Sequence, residues 1–96
     1  MKIRLIVPNG PNASHPVGRY GPRIADIAGG FTATQATGGW KDNDGQLIVE
    51  PVTVFDCSCP TGIGDDWRDI ARDIAKDLSQ TCVYLEIDGV VEYVTP

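Results

Sequence analysis

The chain has 96 residues, 42% of them hydrophobic and 22% charged, which is the balance of an ordinary globular domain. The net charge of −5 argues against a general nucleic-acid binder. No apolar run approaches the roughly 20 residues that a membrane span needs, and the run near the N-terminus is too short for a secretory signal. We therefore expect one domain, residues 1–96, in the cytoplasm, with neither a membrane nor a nucleic acid as partner.

The charge is distributed unevenly along the sequence. Residues 1–41 carry five basic residues against Asp26, a net charge of +4, whereas residues 42–96 carry three basic and twelve acidic residues, a net charge of −9. A basic N-terminal segment on an acidic body favours a local site for an anion. Chance placement in a short chain is the alternative.

The first third of the sequence predicts a strand, a long loop and a short helix. Lys2–Val7 alternates in hydrophobicity, as a half-buried strand does. Asn9–Gly21 is dense in Gly, Pro, Asn and Ser, which predicts a loop, and ordered loops of this length are often functional. Pro22 suits the first position of a helix, which Gly29 and Gly30 would end after about two turns.

The middle of the sequence, Gly29–Asp56, predicts a β-hairpin. Phe31–Thr37 is rich in threonine, which favours a strand, and Leu47–Phe55 is its partner. The sequence DNDG at 42–45 is typical of the turn between them. Pro51 within the second strand predicts a bulge or an edge-like break.

The clearest helix is predicted at Asp65–Leu78, where Asp65 and Asp66 suit a cap and the helix dipole. Its predicted apolar face is Trp67, Ile70, Ala71, Ile74 and Leu78. Its predicted i,i+3 ion pairs are Asp65/Arg68, Asp69/Arg72 and Asp73/Lys76.

A second hairpin is predicted at Thr81–Val94, with Asp88-Gly89 as its turn and with Tyr84 opposite Tyr93. The resulting order, β-α-β-β-α-β-β, is that of an α+β ferredoxin-like sandwich with one added terminal strand. Such a fold has an antiparallel sheet with both helices on one face. Because the other face is left uncovered, we expect a homo-oligomer.

This topology also predicts where a ligand would bind. The first two strands run parallel, so the loop Asn9–Gly21 and the turn Gly38–Gly45 should be neighbours at one edge of the sheet. Cations and helix N–H groups there would bind phosphates, and aromatic rings would stack on a base. The predicted ligand-binding residues are His15, Arg19, Tyr20, Arg23, Trp40 and Lys41. In the alternative interpretation the tryptophan caps the sheet edge, the arginines pair with the acidic body and the histidine is an exposed loop residue.

Metal binding and catalysis have little support in the sequence. Cys57, Cys59 and Cys82 could join His15 as four zinc ligands. However, the third strand should end at the opposite edge from the start of the fourth, so we predict buried thiols and no metal site. No nucleophile elbow supports a Ser–His–Asp triad. We predict no catalytic residue and no cofactor.

Three runs, GGFT at 29–32, GGW at 38–40 and DGQLIVEP at 44–51, resemble small α+β proteins of unknown function from bacteria and their phages, as does DGVVE at 88–92. The resemblance implies a phage accessory protein in the host cytoplasm, a class in which small binders sequester host nucleotide signals.

The sequence thus favours a non-catalytic protein that sequesters a small phosphorylated, nucleotide-like ligand. One alternative is a dimeric ferredoxin-like enzyme with a pocket on the sheet face. The other is an interaction module that inhibits a protein partner through its acidic helix face.

Overall fold

The computed structural model describes residues 1–10, 15–60 and 62–96. Its elements are β1 (Lys2–Pro8), α1 (Pro16–Ala28), β2 (Thr32–Lys41), β3 (Leu47–Ser58), α2 (Gly64–Asp77), β4 (Val83–Ile87) and β5 (Val90–Val94). They form one antiparallel five-stranded sheet in the order β2-β3-β1-β4-β5. The predicted element order and the α+β ferredoxin-like sandwich are confirmed.

The core lies between the sheet and the two helices. Along β1, the buried Leu5 lies opposite both Phe55 of β3 and Leu85 of β4. The predicted apolar face of α2 is confirmed at four of its five residues, because the buried residues of the helix are Trp67, Ile70, Ala71, Ile74 and Ala75. The fifth, Leu78, is the C-cap residue and is only partly buried. No helix in the described ranges is long and apolar enough to cross a membrane.

The opposite face of the sheet carries the residues that alternate with the core positions. There Arg4 of β1 pairs with Asp56 of β3 at 2.8 Å. Tyr84 lies opposite Tyr93, as predicted, with the two rings edge to face and their centroids 5.9 Å apart. We call this the open face, because both helices pack on the other side.

The first helix is longer than predicted. It begins at Pro16 and not at Pro22, so that much of the expected loop is helical; residues 11–14 of that loop lie outside the described residues. The fold provides the reason, because Tyr20 and Ile24 are buried against the sheet at helical spacing. Pro22 is accommodated within the helix, and Gly29, with φ of 84°, ends it as predicted.

The β2–β3 hairpin is also longer than predicted. β2 continues through both glycines to Lys41, whereas β1 ends at Pro8, opposite Val52. Residues 37–41 and 47–51 therefore pair only with each other, and we call this two-stranded extension the ribbon. The predicted turn is confirmed: Asp42 accepts bonds from the backbone N–H groups of residues 44 and 46, both at 2.9 Å.

Pro51 causes no bulge, since its pairing with Thr37 continues the register without interruption. Its carbonyl oxygen accepts a hydrogen bond from the Asn9 backbone N–H at 3.1 Å. In an antiparallel strand the N and O of one residue point to the same side. The proline therefore lacks its N–H on the side where β1 has ended, and the expected edge-like setting is correct.

Two details of α2 differ from the prediction. The N-cap residue is Ile63, which provides no side-chain bond, so Asp65 and Asp66 lie in the first turn and neither caps the helix. Asp73 pairs with Arg23 of α1 at 2.7 Å, and not with Lys76. The other two predicted ion pairs, Asp65/Arg68 and Asp69/Arg72, are present.

Candidate functional site

The predicted arginines lie on α1 and face carboxylates of α2. Arg23 pairs with Asp73 at 2.7 Å, and Arg19 lies 3.5 Å from Asp77. Asp77 also accepts a hydrogen bond from the hydroxyl of Tyr20 at 3.3 Å, and burial raises the pKa of that hydroxyl. These contacts join the two helices, as in the alternative interpretation of the arginines.

Trp40 and Lys41 lie on the ribbon. Trp40 pairs with Ile48, four residues beyond the Ala36–Val52 pair, which is about 13 Å along the strand. By the alternation of the strand, Trp40 belongs to the open face, whereas α1 packs on the other side. The structure therefore does not bring Trp40 together with Arg19 and Arg23, although the topology was predicted correctly.

His15 is the N-cap residue of α1 and contacts β2 through Gln35, whose amide nitrogen lies 3.0 Å from His15 Nε2. The N–H of Val17 lies 3.4 Å from Nδ1 of the same ring. The loop after β1 thus meets the root of the hairpin, through Gln35, and not its turn.

Glu50 is a candidate that the sequence did not reveal. It lies on the open face of the ribbon, opposite Gly38 and diagonal to Trp40. Its half-buried side chain has no hydrogen bond or ion pair with any described residue, and burial raises the pKa of its carboxyl group. Diagonal neighbours on one face lie about 7–8 Å apart, within reach of an aromatic ring and a long side chain.

The chemistry of this surface is that of a cation or aromatic-ring binder. Trp40 is 43% exposed, so that part of its indole ring is accessible to a ligand. A cation between the indole and the Glu50 carboxylate would be attracted by both groups. Gly38 beside them has no side chain, and Val52 packs over it, since a Cβ at Gly38 would lie 3.0 Å from Val52 Cγ1. We take the open face of the ribbon as the candidate functional site.

Where the ribbon joins the body of the protein, which we call its root, the helix side of the sheet carries a closed set of hydrogen bonds. The hydroxyl of Thr53, which is fully buried, donates to Asn9 Oδ1 at 2.6 Å and accepts from Gln35 Nε2 at 2.9 Å. Asn9 Nδ2 in turn donates to Gln35 Oε1 at 2.8 Å. We call Asn9, Gln35, Thr53 and His15 the root cluster.

The cysteines are separated as the topology argument predicted, but only Cys59 is buried, whereas Cys57 and Cys82 are partly exposed. Cys57 of β3 is opposite Ile3, whereas β4 begins at Val83, near the other end of β1. Cys59 accepts a hydrogen bond from the indole N–H of the buried Trp67, with 3.2 Å between nitrogen and sulfur. No group of three or more metal-ligating side chains occurs in residues 1–10, 15–60 and 62–96.

A cleft of about 550 Å³ opens at the sheet edge remote from the ribbon. Its lining includes Lys2, Phe31, Asp56 and Cys57. Burial raises the pKa of the Cys57 thiol to about 11, so that at neutral pH it is protonated and a poor nucleophile. Cys57 is therefore not an activated nucleophile in this cleft.

No family model matches the chain, and no curated protein matches it. Among solved structures, a phage SAM lyase in complex with S-methyl-5'-thioadenosine is similar, with a TM-score of 0.77 and 16% identity over 99% of this chain and 88% of that one. The apo state of a phage SAM lyase gives a TM-score of 0.74, with the same identity and coverage. At this identity the likeness shows a shared fold.

Proposed function

We propose that the chain binds a small nucleoside-like molecule on the open face of the ribbon. Trp40 stacks on the base, and Glu50 lies beside a positively charged group of the ligand. The likeness to a protein in complex with S-methyl-5'-thioadenosine supports a nucleoside-like ligand. The two side chains support the position of the site and the charge of the ligand.

One observation carries the proposal: Glu50 is partly buried, has no cationic partner among the described residues, and lies diagonal to an exposed tryptophan. Removing a carboxylate from water without a partner is unfavourable. A cationic ligand compensates for that cost, and a sulfonium nucleoside such as S-adenosylmethionine carries both a positive charge and an adenine ring.

The phosphorylated ligand predicted from the sequence is less well supported than a cationic one. A phosphate at Arg19 and Arg23 would displace Asp77 and Asp73 and then remain beside their negative charges. On the ribbon, the same phosphate would be repelled by Glu50. Phosphate binding by the arginines stays a prediction, which the experiment below tests.

The proposed protein either holds its ligand unchanged or converts it. Sequestration without turnover, in a phage-infected host cell, is the function favoured by the sequence. Turnover is the second candidate, because both similar structures are of a lyase and because a carboxylate with a raised pKa is a common feature of catalytic sites. In that case the substrate is a sulfonium nucleoside and Glu50 faces its charge.

Binding is tested first, and turnover is tested second on the same sample. Thermal shift and calorimetry are measured with S-adenosylmethionine, S-methyl-5'-thioadenosine and adenosine monophosphate, since a ligand of the native state raises Tm. We expect the two sulfur nucleosides to bind and adenosine monophosphate to bind at least tenfold more weakly. The S-adenosylmethionine sample is then chromatographed after incubation beside a protein-free sample: ligand as intact as in that sample indicates sequestration, and additional S-methyl-5'-thioadenosine indicates turnover.

Variants locate the site. Trp40→Ala should weaken binding of both sulfur nucleosides, whereas Leu47→Ala, an exposed apolar change on the other side of the same ribbon, should not. Arg23→Ala should leave their binding unchanged. Weaker binding in Arg23→Ala together with normal binding in Trp40→Ala would place the ligand on the helices and refute the proposal.

A further inference from the structure

We infer that Thr53 and Gln35 are positioning residues: their hydrogen bonds in the root cluster fix the ribbon on the body of the protein. The inference rests on the proposed function insofar as the ribbon carries the ligand site. Neither residue belongs to that site, because the register places both on the side of the sheet opposite to Trp40 and Glu50.

The ribbon needs such support because it lacks a third strand. β1 ends at Pro8, and the pairs from Thr37–Pro51 to Lys41–Leu47 have no other strand beside them. A two-stranded ribbon by itself is marginally stable in water. Its orientation relative to the body is therefore set at its root, where β1, β2 and β3 are last paired side by side.

The root cluster ties three elements together at that point. Thr53 lies on β3, Gln35 on β2 and Asn9 directly after β1, and the three side chains close a ring of bonds of 2.6, 2.8 and 2.9 Å. The backbone N–H of Asn9 adds a bond to the carbonyl of Pro51, the ribbon residue of β3 that lies nearest the body of the protein. A rotation of the ribbon about its root would break these bonds.

The cluster also connects the ribbon to α1. Gln35 Nε2 donates to Thr53 Oγ1 at 2.9 Å and lies 3.0 Å from His15 Nε2 at the helix N-cap. The amide of Gln35 is thereby held at both its oxygen and its nitrogen. Four side chains from four parts of the chain thus form one satisfied set, and no buried side-chain polar atom in the described ranges lacks a partner.

The hydroxyl of Thr53, rather than its methyl group, carries this role. In Thr53→Val the shape is retained, but Asn9 Oδ1 and Gln35 Nε2 each lose a partner next to a buried side chain, and leaving such groups unpaired is unfavourable. In Thr53→Ser the hydroxyl is retained and one methyl group is lost. If Thr53 acts through packing, Thr53→Ser should disturb the ribbon more than Thr53→Val. If Thr53 acts through its hydrogen bonds, Thr53→Val should disturb the ribbon more.

The first readout needs no ligand. Hydrogen exchange is measured on the unmodified chain, on Thr53→Val, on Thr53→Ser, and on Thr32→Val as a matched exposed change at the far end of β2. We expect amides of the ribbon to exchange about tenfold faster in Thr53→Val and within about twofold of the unmodified chain in the other two variants. Gln35→Leu, a change at an exposed side chain, should reproduce the effect if Thr53→Val does not fold.

The second readout is the affinity for S-methyl-5'-thioadenosine, which should fall about tenfold in Thr53→Val and Gln35→Leu and recover in Thr53→Ser. Faster ribbon exchange in Thr53→Ser than in Thr53→Val, or unchanged exchange in both Thr53→Val and Gln35→Leu, would overturn the inference. Failure of the unmodified chain to bind the ligand would refute the proposed function alone, because the exchange result does not depend on binding.

Discussion

Replacing Glu50 by glutamine should separate charged from neutral ligands. S-adenosylmethionine carries a sulfonium charge, whereas S-methyl-5'-thioadenosine has a neutral thioether and the same adenosine. Glutamine retains the size and polarity of Glu50 and removes its charge. If the carboxylate faces the charge of the ligand, Glu50→Gln should weaken binding of the first compound and leave the second within about twofold.

The magnitude follows from the geometry of the ribbon. We take a cation held against Trp40 to lie about 6 Å from the Glu50 carboxylate, somewhat less than the roughly 7–8 Å between diagonal positions. Coulomb's law gives about 2.8 kcal/mol at that distance for an effective dielectric constant of about 20, and about 0.7 kcal/mol in bulk water. Because Glu50 is only half-buried, the loss should lie between these limits, which is a decrease in affinity of about 3- to 100-fold.

Calorimetry at low and at high salt provides the assay. The difference between the unmodified chain and Glu50→Gln should shrink as salt rises, because the pair is partly exposed to screening. Affinity for S-adenosylmethionine should also fall as the pH is lowered through the raised pKa of Glu50, and affinity for the neutral compound should not. Equal losses for both compounds, or no loss for either, would refute the assignment of Glu50 to the ligand charge.

Three further predictions concern stability, assembly and the thiols. Since burial raises the pKa of Glu50 in the folded state, its ionised form opposes folding; Glu50→Gln should raise Tm at neutral pH, and the gain should vanish below about pH 4. A lower Tm for this variant at pH 7 would contradict that reasoning. The part of the open face formed by β4 and β5, with exposed Val91 and Tyr93, should be covered by another copy while the ribbon stays accessible. Light scattering should therefore detect a homo-oligomer, and a strict monomer at micromolar concentration would contradict this prediction. Serine at Cys57, Cys59 or Cys82 should leave ligand binding intact, and stoichiometric zinc that is lost in Cys59→Ser would show that the thiols bind metal.

The pattern of strands and helices was accessible from the sequence because each core element has a clear period. Leu5 and its neighbours alternate, and Trp67 begins a helical stripe that is confirmed as buried. The start of α1 was missed because Pro22 and two glycines within the helix are residue types that are typical of loops. Only the packing of Tyr20 and Ile24 against the sheet explains why the chain is helical there.

The candidate site was accessible only in part. Trp40 was singled out as an aromatic residue beside a turn, but its face of the sheet depends on how far β2 continues, and two glycines conceal that length. Glu50 was missed because nothing in its local sequence indicates that the carboxylate is partly buried and lacks a cation. Arg19 and Arg23 appeared free because their partners, Asp77 and Asp73, lie more than 45 positions away in the sequence.

The most direct test of the central claim uses the two tryptophans of the chain as reporter and internal control. Trp40 lies exposed on the ribbon, whereas Trp67 is fully buried in α2 with its indole N–H bonded to Cys59. In a ¹⁵N-labelled sample titrated with S-methyl-5'-thioadenosine, the indole signal of Trp40 should shift in a saturable manner, while that of Trp67 stays in place. Saturable binding that leaves the Trp40 signal unmoved, or no binding at millimolar ligand, would contradict a nucleoside site on the ribbon.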